Sequence, residues 1–507
     1  MHMRFIQIRG RTAGATLAFL SAAALTGCDT VKTNLLEANN PNVLAPSDVQ
    51  SPAGATAVKN GALARLRIAT ADGESTWMFG GLLADEWGTS STFVQNDETD
   101  QRNTSLNNGT VQGELRALYR VITDANQAIP LLERWVPSAA SDTTTSATMH
   151  PSDIAEMYFI RGFAQFQLAS DFCNGIPLTN GAGDKPIFGD PQTVAQVFAV
   201  AIASFDSAKI YSAPGLTLSP VDAPSQSINR AARIGKARAL LGLGRTNLAA
   251  AAAEVAGIPT SFRYDVTASL TGGILTLWDQ AASQNRYTVG DSAQPNVRSK
   301  LIGNALPFGS LHDRRVPAWY KIAKNGKDSV KSQDGGTYAV TVDTLWGQTS
   351  AVAVVHGLDA RLIEAENFLN LGDIPNWLAT LNALRTSGTV VLTASSPTST
   401  GTHPGWTVPV MPALADPGAG SGTLDPTSPR LKLFFREKAF WQFGRGIRLG
   451  DLRRQIRDYG FAPDGSQNFP TGAHYKGGNY GTDVNLPVTT DEQVGNPKFA
   501  ACLDRKA

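Results

Sequence analysis

A mainly α fold, in which stacked helical hairpins carry a loop-rich irregular C-terminal part, is predicted by three features of the sequence. Apolar residues recur at i, i+3, i+4 and i+7 in several segments, a spacing that gives each helix one buried face. One such segment returns at a constant offset of 128 residues: Ala232-Arg233, Ala237, Leu240-Leu241 and Leu243-Gly244 match Ala360-Arg361, Ala365, Phe368-Leu369 and Leu371-Gly372. The 48 Gly and 28 Pro among 507 residues require long loops beside the regular elements. Composition agrees with a large core, at 42% hydrophobic and 17% charged. The length suggests roughly three domain-sized units or one large intertwined fold. Lys+Arg 44 against Asp+Glu 43 leaves no electrostatic excess, so nucleic acid is not expected as a partner.

The chain opens with Arg4, Arg9 and Arg11, followed by an uncharged run over 13–25. That is the charge order of a secretory signal, too short to cross a bilayer. Residues 1–27 are read as a leader whose removal takes three Arg, leaving 41 basic against 43 acidic residues. Leu25-Thr26-Gly27-Cys28 resembles the bacterial lipobox, so Cys28 is the expected lipidation site and the membrane contact is through its acyl chains. Residues 28–51, rich in Asn, Pro and Ser, read as a tether.

The helical-hairpin part is placed at 52–256. Its first, divergent pair is 58–68 with 115–135; a second pairs 157–169, with Gly162 at the small position, with 198–210; the third is 229–256. In each full copy the small mid-helix residue lets a second helix cross closely, and Leu-Gly ends the first helix at a left-handed cap. These hairpins resemble tetratricopeptide units, which bury their apolar faces only by stacking. The remainder, 257–507, is expected to pack with them as one globular unit. It holds irregular Gly- and aromatic-rich sequence over 272–349, a fourth hairpin at 357–387, a Pro/Gly/Ser/Thr loop over 395–429 and a charge-dense motif at 430–457. In that motif Arg448, Asp451 and Arg454 stand at i,i+3 spacing and read as a structural ion network.

Signs of catalysis are weak. The six His, at 2, 150, 312, 356, 403 and 474, include no i,i+4 pair of the kind that holds zinc on a helix. Gly73-Glu74-Ser75-Thr76-Trp77 starts like a nucleophile elbow but lacks the closing Gly. The doublets Asp85-Glu86 and Asp97-Glu98 could supply two glycosidase carboxylates, although a solvated loop is the expected setting. No catalytic residue, metal or cofactor is assigned. With Cys28 lipidated, Cys173 and Cys502 remain; in an exported chain they either form a bridge or stay as two buried thiols.

Four pieces occur in order: the lipobox; Gln167 to Leu178; Leu362 to Glu366 with Asn370-Leu371-Gly372-Asp373 and Leu381 to Arg385; and Phe434-Phe435-Arg436-Glu437-Lys438-Ala439-Phe440-Trp441-Gln442-Phe443 followed by Gly446, Arg448 and Asp451 to Arg454. Together they resemble the SusD/RagB-like family of outer-membrane nutrient-binding lipoproteins. The resemblance implies a lipid-anchored, surface-exposed outer-membrane protein that binds oligosaccharide, or in some members peptide, and hands it to a TonB-dependent barrel transporter. The alternatives are a helical-repeat envelope scaffold, a peptide-binding lipoprotein and a carbohydrate-active hydrolase. A sugar site needs flat aromatics held outside the core beside polar groups. Two irregular regions offer them: Trp77, Trp87, Asn96, Asp97 and Arg102 in one, and Trp278, Trp319, Tyr320 and Trp346 in the other, with Trp87 and Trp319 expected to lead.

Overall fold

The computed structural model describes residues 49–71, 75–136, 149–181, 186–213, 223–291, 306–326, 330–464 and 468–507. The leader, Cys28 and the tether up to residue 48 lie outside the described residues. Residues up to Gly54 form one unit and Ala55–Ala507 a second, compact one.

The helices used below are α1 (Pro52–Ala71), α2 (Thr76–Leu83), α3 (Val94–Asp100), α4 (Gly109–Glu133), α5 (Pro151–Asp171), α6 (Val194–Tyr211), α7 (Ala223–Gly242), α8 (Leu248–Val255), α9 (Gly357–Asn370), α10 (Ile374–Thr386), α11 (Pro429–Trp441) and α12 (Arg448–Tyr459). From α4 to α10 each helix packs on the next, so the hairpins stack as a continuous array and the fold is mainly α. Helix α4 starts where the Asn108 side chain accepts the Thr110 and Val111 N–H groups, both at 3.1 Å. Thr193 and Gln196 form a reciprocal capping box at the start of α6. By length and composition α6 is apolar enough to cross a membrane, yet it packs between α5 and α7.

Glycine sets the helix spacing in this array. Phe205 of α6 is fully buried, and a Cβ on Gly162 of α5 or Gly235 of α7 would come within 3.0 Å or 2.4 Å of its ring. One aromatic ring therefore fills the space that two missing side chains leave on neighbouring helices. The fourth hairpin builds a second apolar cluster, in which Leu358, Leu362, Trp377 and Leu381 meet Leu431, Phe434 and Trp441 of α11.

The strands are short: β1 (Trp87–Thr89), β2 (Arg263–Val266), β3 (Tyr287–Val289), β4 (Trp319–Tyr320), β5 (Val340–Thr341) and β6 (Val352–His356). They pair antiparallel as β1 with β3, β2 with β6, and β4 with β5. The 395–429 loop also contains a ribbon, in which Ser396–Thr398 pairs with Gly401–His403.

The charge-dense motif is a buried ion network. Arg454 grips Glu366 at 2.6 and 3.2 Å, Arg445 grips Asp359 at two contacts of 2.9 Å, and Arg315 meets Glu437 at 2.7 Å. Burial pushes the Glu366 carboxyl up, but Arg454 and Lys438 outweigh it and hold it near 2. Arg453 donates to the carbonyls of Ala169, Ser170 and Phe172, placing a cation at the C-terminal end of α5. The expected local pairing holds only in part. Asp451 contacts Arg454 at 3.6 Å and Lys438 at 2.6 Å, whereas Arg448 reaches out of its own helix to Asp85 at 2.8 Å.

That contact corrects the solvated-loop reading of Asp85-Glu86. Both are buried. Asp85 is occupied by Arg448 and the Leu306 N–H, and Glu86 accepts the Gly444 N–H at 3.0 Å. Burial pushes Glu86 up to about 8 and raises Asp85 despite Arg448. Asp97 faces Lys476 at 2.6 Å and Glu98 accepts from Asn108 at 2.9 Å, so neither doublet presents two free carboxylates to a cleft. Among the described residues no group of three or more His, Cys, Asp or Glu could hold a metal ion.

Cys173 and Cys502 are joined by a disulfide with Cα atoms 5.7 Å apart. Beside it the C-terminal tail runs against the segment after α5: Leu503 N–H donates to Asn174 O and Asn174 Nδ2 to Asp504. Gly175, at φ +114°, has the Ala501 carbonyl oxygen 2.3 Å from where a Cβ would stand.

Candidate functional site

The expected aromatic set is not brought to one surface. Trp77, Trp87 and Trp346 are core residues. Trp87 sits on β1, opposite Val289 of β3, with its ring 5.1 Å from Phe443 and 6.2 Å from Trp346; Trp77 is covered by Gly446. Large aromatic rings gain most where both faces are buried, and this three-residue strand has no solvent face. A sugar has no access to these rings, which corrects the expectation that Trp87 leads the site.

Arg102 is likewise a structural residue. Its buried guanidinium donates to the carbonyls of Asp483 and Pro470 and meets Asp464 at 3.2 Å, clamping the C-terminal loop. Trp278 and Tyr320 are half-buried. Trp319 is 39% exposed on β4, with its indole N–H on Asp343 Oδ1 at 2.9 Å. Asp97 is held by Lys476.

Of the expected residues, Asn96 lines a cleft of about 350 Å³ formed by α1, α4, α3 with the segment leading into it, and the turn ahead of β3. Each wall follows from local sequence. In α4, Val111, Leu115, Leu118 and Ile122 are buried, so Gly113, Arg116, Ala117 and Arg120 form a stripe at i, i+3, i+4 and i+7 on the cleft side. Arg65 and Ile68, one turn apart on α1, face it. Phe93, the residue before α3, is 49% exposed and lines the cleft.

The floor is polar. Asn96 is 4% exposed, and its Nδ2 donates to the Tyr287 hydroxyl at 2.9 Å, while its Oδ1 has no partner among the described residues. Arg286 lies 5.3 Å over the Phe93 ring and bonds Gln280 Oε1 at 3.4 Å, and its Nε is unpaired among the described residues. The arrangement offers a flat apolar ring, a buried acceptor and guanidinium donors around one cavity.

Phe93 and the arginines escaped the sequence reading. Phe93 stands in Thr89-Ser90-Ser91-Thr92-Phe93-Val94-Gln95-Asn96, where no apolar periodicity gives it a core to enter. Arg116 and Arg120, at i,i+4 opposite the apolar stripe of an amphipathic helix, carried the other signal.

No protein-family model matches the chain, and no curated protein matches its sequence. Solved structures do match. A SusD superfamily protein from Bacteroides fragilis superposes with a TM-score of 0.58 at 14% identity, covering 89% of this chain and 99% of that one. The surface glycan-binding protein A of Bacteroides uniformis gives 0.57 at 13% identity, covering 89% and 99%. A SusD-like carbohydrate binding protein from Bacteroides vulgatus gives 0.55 at 13% identity, covering 88% and 96%. With a stacked helical-hairpin array and a loop-rich remainder matched over nearly the whole length of each relative, this chain has the SusD-like fold.

Proposed function

We propose that the protein binds oligosaccharide in the α4 cleft. The observation that carries the reading is the exposed Phe93 ring beside the buried, unpartnered Oδ1 of Asn96. A sugar ring presents C–H groups to an aromatic face and hydroxyl donors at its edge, so the two protein groups match the two surfaces of one pyranose. The likeness in fold to proteins described as glycan- or carbohydrate-binding supports the same class of ligand.

In this reading the protein is not an enzyme. It is held at the outer membrane by lipid on Cys28, and it passes its ligand to a TonB-dependent barrel transporter. The lipobox at 25–28 and the order of the sequence motifs support the location and the partner. Calorimetry against a panel of neutral and acidic oligosaccharides tests the binding: wild type should bind at least one, and Phe93→Ala should weaken it tenfold or more. Binding unchanged in Phe93→Ala would move the site elsewhere. Two further measurements check the setting: the mass of the mature chain should include acyl groups lost in Cys28→Ala, and mild detergent extraction should co-purify a β-barrel protein.

A further inference from the structure

Charge is distributed unevenly around this cleft. Arg65, Arg116, Arg120 and Arg286 all line it, and no Asp or Glu does so among the described residues. The chain as a whole is balanced at 44 basic against 43 acidic residues, so four cations on one cavity is a local excess rather than a reflection of composition. Two of the four are partly offset at the margin: Arg65 is 3.4 Å from Asp124 and Arg116 is 3.4 Å from Asp491, the latter pair well exposed. Exposed pairs of that length hold their partners weakly. Arg120 makes no ion pair of its own among the described residues, although its charge acts on the same Asp124 carboxyl, and Arg286 keeps a buried Nε–H unpaired there over the Phe93 ring.

A second cleft, of about 380 Å³, shares Arg116 and Arg120 and continues along α4 past Tyr119 toward Phe188; Asp491 and Glu492 also line it, so the excess of positive charge belongs to the first cleft and to the two shared arginines. The two arginines therefore stand on the ridge between two cavities, within reach of a chain longer than one sugar.

Resting on the oligosaccharide reading above, we infer that the glycan is anionic, with carboxylate or sulfate groups on successive sugars set against the arginine stripe of α4. Neutral sugar hydroxyls need both donors and acceptors; guanidinium N–H groups can serve as donors, but a cleft selecting neutral sugars gains nothing from the net positive charge that four cations bring. A planar guanidinium instead matches a carboxylate or sulfate with two parallel N–H donors. The Phe93 face and Asn96 Oδ1 would seat the ring and its hydroxyl, and the arginines would read the charge.

The test is calorimetry on the full mature chain with three probes of equal length: an oligogalacturonate, a sulfated oligosaccharide and a neutral gluco-oligosaccharide. At low salt one of the two anionic probes should bind at least tenfold more tightly than the neutral one, and which of them does so identifies the anionic group. Arg116→Gln with Arg120→Gln, both exposed and outside the core, should lose at least tenfold for the anionic probe and flatten its salt dependence. Phe93→Ala should also weaken it. Equal affinity for anionic and neutral probes, or an unaffected arginine variant, overturns the charge selection while leaving oligosaccharide binding intact. Anionic binding that survives Phe93→Ala shows adhesion by charge alone and overturns the site. Absence of binding to all three probes overturns both readings.

Discussion

Arg448 and Asp85 form a two-pronged ion pair, Nε to Oδ1 at 2.8 Å and Nη2 to Oδ2 at 3.2 Å, between positions 363 residues apart. Both are buried, and Asp85 sits at φ +75°, a left-handed conformation that Asp tolerates better than most side chains. The pair fastens α12 to the turn between α2 and β1, close behind the cleft segment. Removing one partner leaves the other charged and desolvated, so Arg448→Met should cost about 3–5 kcal/mol in denaturant unfolding. Replacing both with apolar residues should recover part of that loss. A single-variant cost below about 1 kcal/mol would show that the contact does not anchor the helix.

The neighbouring Glu86 should make stability depend on pH. Burial raises its folded value from 4.5 to about 8, so the folded state holds a proton that the unfolded state releases. Its contribution is fully present below pH 4.5 and is lost as pH rises through about 8. Glu86→Gln should therefore unfold with a smaller loss of stability than wild type between pH 5 and pH 9, a difference on the order of a few kcal/mol. Parallel curves for the two proteins would refute the assignment.

Gly235→Ala would set a methyl 2.4 Å from the Phe205 ring. Overpacking of this kind costs about 1–3 kcal/mol. Combining it with Phe205→Leu should cost less than the sum of the two changes, because the smaller side chain releases the clash. Strict additivity in thermal unfolding would argue against contact between these helices.

The Cys173–Cys502 bridge closes a loop across a sequence separation of 329. Constraint of so long a segment in the unfolded chain is worth about 2–5 kcal/mol. Cys502→Ser should lower unfolding stability by that order and release the tail from Asn174, seen as faster amide exchange at Leu503. Two titratable thiols in the unreduced, denatured wild-type chain, with Cys28 blocked, would contradict the bridge.

The helical fold was legible because stacked hairpins write their packing into a period that sequence displays directly. Ala360, Ala365 and Leu369 and their 128-residue echoes Ala232, Ala237 and Leu241 are all buried, whereas Leu371, beside the closing Gly372, is exposed. The aromatic site was not legible. Trp87 and Trp346 stand in irregular sequence and Trp77 at the start of the short helix α2, and nothing local distinguishes a ring turned inward from one turned toward a ligand. The burial of Trp87 depends on Phe443 and Val289, both far away in sequence. Asp85-Glu86 was misread for the same reason: its partners Arg448 and Gly444 come from the other end of the chain. Asn96, named in the same set, lies in α3 and lines the cleft, and its contact with a ligand belongs to the proposal.

A crystal structure of the protein with a bound oligosaccharide tests the central claim most directly. The account predicts a sugar ring stacked on Phe93 with a hydroxyl on Asn96 Oδ1 and the chain running along α4 toward Arg116 and Arg120. A sugar stacked on exposed Trp319 of β4, with the α4 cleft holding only water, would contradict it.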